Sequence, residues 1–124
     1  MIEVKPIEEQ KVLNELFSKH NLELDEFSGG VCAKNREEVL GYCLYTLTER
    51  SIVVQILEPQ DDAFLADGIL RSALHVAAER SAMDAHYSDS APVALLEKLG
   101  FVTDKDQKVL NIDLLFGGCC GCKE

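Results

Sequence analysis

The stretch from Ser51 to Tyr87 constrains the fold of this chain more than any other. Ser51 to Leu57 is a β-branched, apolar run, as expected for a central strand. Pro59 stops it, because proline has no N–H to give a neighbouring strand. From about Ala63 to Ala82, the residues Leu65, Ile69, Ser72, Ala73, Val76 and Ala77 fall on one helical stripe. Met83 to Tyr87 then reads as another short strand. A strand, a long helix and a strand in this order place the two strands side by side and parallel. The helix crosses the sheet in the right-handed sense that such connections take.

The flanking segments supply antiparallel neighbours. Pro6 can open a helix, since its missing N–H costs nothing in a first turn. From Pro6 to His20, Ile7, Val12, Leu13, Leu16 and Phe17 share one face, and Asn21 closes the helix. Leu22 to Phe27 alternates apolar and acidic residues, and Ser28-Gly29-Gly30 is expected to turn the chain. Val31 to Lys34 reads as a short strand, residues 35–38 as a polar turn, and Val39 to Thr48 as a stronger strand. Ser90-Ala91-Pro92 starts a short helix through Leu99, and Gly100 suits the left-handed position after it. Phe101-Val102 leads to a turn at Asp104 to Gln107, and Lys108 to Phe116 forms the last strand. The predicted class is α/β (α+β): a mixed, mostly antiparallel sheet with one parallel pair splayed at one end, flanked by helices. Residues 1–116 are expected to form a single domain and residues 117–124 a cysteine-rich tail.

Charge and cysteines bound the function. With 124 residues the chain can build a core without disulfides or a metal. Its formal net charge of -10 argues against nucleic acid and against an anionic membrane surface, since both need clustered Lys and Arg. The first residues hold too many charges for a signal peptide, and no apolar run approaches the ~20 residues that span a bilayer. The cytoplasm is the expected compartment. Cys32 and Cys43 sit singly in strand-like segments and read as small buried apolar residues. Cys119, Cys120 and Cys122 crowd the tail, where neighbouring cysteines cannot staple a fold. Cys119 and Cys122 make a C-x-x-C pair, which can hold one edge of a zinc site or act as a redox dithiol. A zinc site would need a fourth ligand from elsewhere, and an unstructured tail is the simpler alternative.

Three stretches carry a family resemblance. They are Glu38-Val39-Leu40-Gly41-Tyr42-Cys43-Leu44-Tyr45, then Ile56-Leu57-Glu58-Pro59 followed by Gly68-Ile69-Leu70-Arg71-Ser72-Ala73-Leu74, and finally Ala94-Leu95-Leu96-Glu97-Lys98-Leu99-Gly100-Phe101. Their order resembles that of the GNAT superfamily of acyl-CoA N-acyltransferases. The resemblance implies acetyl-CoA as acyl donor, with Leu57, Gly68, Ile69, Leu70 and Arg71 around it. It also implies a small-molecule or peptide amine as acceptor, with homodimer formation left open. Glu58 is the candidate general base and His86 the alternative acid or base.

This chain departs from the family pattern at several of these positions. In the phosphate loop Leu65 stands where a donor belongs. Leu70 stands where a small residue belongs, its bulk expected to meet a phosphate. Asp61, Asp62 and Asp67 bring carboxylates near the expected anion. Leu96 replaces the family's tyrosine acid, and Asp89 a common asparagine. The residues leave three readings open: acetyl transfer to an amine, a non-catalytic binding module, or a metal or thiol protein acting through the tail.

Overall fold

The computed structural model describes residues 2–48, 50–80, 82 and 84–110. In chain order these form β1 (Ile2–Pro6), α1 (Gln10–Lys19), β2 (Ser28–Asn35), β3 (Glu38–Leu47), β4 (Ser51–Glu58), α2 (Ala63–Glu79), β5 (Asp84–Tyr87), α3 (Val93–Lys98), β6 (Val102–Asp104) and β7 (Val109–Leu110). The strands make one sheet in the order β1-β2-β3-β4-β5-β7-β6. Every neighbouring pair is antiparallel except β4 and β5. The mixed, mostly antiparallel sheet with flanking helices is therefore present as the sequence predicts.

β4 and β5 pair only from Ser51 opposite Asp84 to Val54 opposite Tyr87. The Ser88 N–H then donates to the Val54 carbonyl at 2.9 Å. β4 continues to Glu58, so the pair parts over its last four residues. This is the predicted splay.

A bulge in β4 decides which side chains flank that opening. Leu44 faces Ile56 and Tyr45 faces Val54, so β4 carries one extra residue, Gln55. A bulge shifts the alternation of side chains by one. Before it, Ile52 and Val54 face α2, where they pack with Ala66, Ile69, Leu70 and Ala73. After it, Leu57 takes the α2 face, and Ile56 joins Leu13, Phe17, Tyr42 and Leu44 beneath α1. Glu58 follows Ile56 onto the α1 face.

Four boundaries differ from the sequence reading. Pro6 ends a strand instead of starting a helix. Ile2 and Val4 alternate with Glu3 and Lys5, and β1 pairs with β2 from Ile2–Asn35 to Pro6–Val31. Proline is tolerated there because β1 is the edge strand. Ser28-Gly29-Gly30 is the first part of β2, not a turn. A Cβ on Gly29 would sit 2.8 Å from Tyr45 Cε1, so the missing side chain makes room for an aromatic ring across the sheet. The turn lies just before, where Asp25 Oδ1 accepts from the Phe27 N–H at 2.9 Å. α2 ends at Glu79 rather than Ala82. Val102–Asp104 is a strand paired with β7; the expected strand from Lys108 to Phe116 is described only as far as Leu110. Gly100 adopts the left-handed backbone expected after its helix, with φ of 85°, and Asn21, which closes α1, is left-handed as well, with φ of 58°.

Candidate functional site

The open end of β4 carries two clefts, one on each face of the sheet. On the α1 face, Glu58 is half-buried and stands directly opposite Tyr42 in the β3–β4 register. Tyr42 is 7% exposed, and its hydroxyl lies 2.7 Å from His20 Nε2. The two rings meet edge-on at 5.8 Å. His20 caps the C-terminal end of α1. Lys19, His20, Tyr42 and Glu58 line one cavity of about 290 Å³ with Gly41 and Pro59. Gln60 Nε2 approaches Glu58 Oε2 at 3.5 Å, long for a hydrogen bond, so the carboxylate stays available. A half-buried carboxylate beside a hydroxyl–imidazole pair can accept a proton from a ligand nitrogen.

On the α2 face, a second cavity of about 720 Å³ opens between β1, Leu40 of β3 and the start of α2. Its walls are Ile2, Val4, Leu40, Phe64 and Leu65, with Asp61, Asp62 and Gly68 at the helix. Phe64 is 92% exposed. Asp62 caps α2, its Oδ1 accepting from the Leu65 N–H at 3.1 Å. Free N–H groups at a helix start are what would receive an anion. Here the protein's own carboxylate takes one of them and places negative charge at the positive helix pole. Arg71 is tied to Asp67 at 2.9 Å, and its guanidinium lies 5.2 Å from the Phe101 ring centre. The residues at this helix start therefore oppose a diphosphate, although Gly68 leaves open space beside the backbone.

The other residues named from the sequence are scattered. Leu57, Ile69 and Leu70 are fully buried and belong to the core beneath α2. Leu70 thus points into the core instead of towards a phosphate. Gly68 is exposed and Arg71 half-buried. His86 is half-buried on β5 opposite Val53. Glu58 lies five steps along β4 from Val53, on the order of 16 Å at ~3.3 Å per residue, so the two candidate bases do not share a site. Leu96 is fully buried, and Asp89 is exposed and ion-paired with Lys108. Sequence reasoning missed the partnership of His20 and Tyr42 with Glu58. No spacing signals it, because it depends on strand register and on where α1 ends.

Burial sets the thiol chemistry. The Cys43 thiol is pushed up to about 12 by complete burial, and burial also raises Cys32. Neither described cysteine is a ready nucleophile near neutral pH. Burial, with Cys43 adding to it, lifts Tyr45 to about 12. Among the described residues no group of three or more His, Cys, Asp or Glu could hold a metal ion. Cys119, Cys120 and Cys122, the proposed zinc ligands, lie outside the described residues. No helix of the described residues is long and apolar enough to cross a membrane.

No family model matches this sequence, and no curated protein matches it. Among solved structures, the chain is similar to the crystal structure of the ribosomal-protein-S18-alanine N-acetyltransferase from Escherichia coli. The TM-score is 0.59 at 12% identity, with 88% of each chain covered. At that identity the likeness shows the fold, which is GNAT-like.

Proposed function

We propose that this protein is an acyl-CoA N-acyltransferase that acetylates a small-molecule or peptide amine, with Glu58 as general base and a weakly held donor. The observation that carries this reading is the position of Glu58. It stands half-buried where β4 parts from β5, in one cavity with Tyr42 and His20. An amine nitrogen entering there attacks the thioester carbonyl carbon. The C–N bond forms, the C–S bond breaks, Glu58 takes the proton lost by nitrogen, and the departing thiolate is protonated by water. Leu96 has no proton to give, so solvent supplies it.

The α2 start supports low donor affinity. Asp61 and Asp62 are exposed just ahead of its first turn, Asp62 as the cap, and each carboxylate repels a phosphate by ~1 kcal/mol at 4 Å in water. The same feature favours a second reading, a non-catalytic module of this fold that binds an amine without transferring an acyl group. Free thiol released from acetyl-CoA in the presence of a mixed panel of amines separates the two. The catalytic reading predicts amine-dependent release that drops by roughly 10²-fold or more in Glu58→Gln, the usual worth of a general base. No release at millimolar acetyl-CoA, with the protein folded, supports the second reading instead.

A further inference from the structure

The cavity on the α1 face presents charges of both signs. Glu58 and Tyr42 form part of its lining, and Lys19 another part. Among the described residues neither Lys19 nor Glu58 enters an ion pair, so they do not neutralise each other. His20 is engaged with the Tyr42 hydroxyl. The cavity also lies at the C-terminal end of α1, where Lys19 is the basic residue of the last turn and suits the helix's negative pole. At about 290 Å³ it is at the small end of ligand pockets.

We propose that this cavity binds a compact zwitterion, a free α-amino acid with a small side chain, whose ammonium meets Glu58 and Tyr42 and whose carboxylate meets Lys19. The inference rests on the acceptor reading above and narrows it to one substrate class. A plain amine leaves Lys19 without a counter-charge, and a plain acid leaves Glu58 without one. Such mismatches are how a site rejects near relatives of its ligand. A peptide N-terminus has the ammonium but no carboxylate close by.

Calorimetry with L-alanine, L-alanine N-methylamide and propionate tests this directly. Alanine is expected to saturate the site, with the amide and propionate each about tenfold weaker or worse, a difference of ~1.4 kcal/mol. Lys19→Met keeps the apolar stem and should bring alanine down to the level of the amide. Glu58→Gln should weaken both alanine and the amide. Circular dichroism melting confirms that each variant is folded. If the amide binds as well as alanine, or if alanine shows no saturable binding at millimolar concentration, the inference is overturned. Alanine binding without any acylation retains this inference and removes the acyl-transfer reading. Acylation of amines regardless of a carboxylate does the reverse.

Discussion

At residue scale, burial and local charge divide the candidates the sequence offers. Glu58 and Gly68 could be singled out from sequence, because a carboxylate at a strand end and a glycine near a helix start have few core roles. Leu57, Ile69 and Leu70 could not be sorted, since an apolar residue near a site looks the same whether it faces the ligand or the core. His20 and Tyr42 lie 22 residues apart, and only the folded register joins them. Cys43 and Tyr45 set an alkaline limit on stability. Their folded values, both about 12, lie above the ordinary 9.0 and 10.0. The unfolded chain therefore loses these protons first, and linkage lowers stability as pH rises. Stability is expected to be insensitive to these two groups below about pH 9 and to fall steadily from there towards pH 12. Urea midpoints across that range check it. Cys43→Ala, although less stable overall for the lost packing, should delay the onset towards pH 10.

The elements were easiest to read where a period was long and uninterrupted. α2 and β4 met that condition. β1 did not, since a proline at its end and charges at alternate positions also fit a helix start. The glycines of β2 misled because glycine signals a turn by its backbone freedom, whereas Gly29 is there to avoid the Tyr45 ring. The bulge at Gln55 leaves no mark in composition, yet it turns Glu58 onto the α1 face. Two glycine substitutions test this account of the elements with opposite signs. A Cβ at Gly41 would lie 2.5 Å from the Glu58 carbonyl oxygen and 2.8 Å from Ile69 Cδ1. Gly41→Ala should cost about 1–3 kcal/mol, the usual penalty for overpacking, and shift Glu58. Gly68 lies inside α2 with nothing within 4 Å of its built Cβ. Gly68→Ala should stabilise by roughly 0.5–1 kcal/mol, as expected for a helix interior. Denaturant midpoints of the two variants measure both effects.

At the scale of the whole molecule, the two faces of one sheet carry different parts of the account. The α1 face holds a half-buried carboxylate in a cavity of mixed charge. The α2 face holds the helix start at which the proposed reading seats an acyl donor's diphosphate, and there Asp61 and Asp62 are part of the chain's net charge of -10. On the proposed reading these carboxylates weaken the donor side without abolishing it. Calorimetric titration with acetyl-CoA, comparing the native chain with Asp61→Arg/Asp62→Ser, tests it most directly. Serine preserves the helix cap while removing a charge, and arginine reverses another. The account predicts saturable binding weaker than micromolar in the native chain, tightened about tenfold or more in the variant, since each ~1.4 kcal/mol of relieved repulsion is a factor of ten. Submicromolar binding by the native chain, or no tightening in a variant that remains folded, would contradict it.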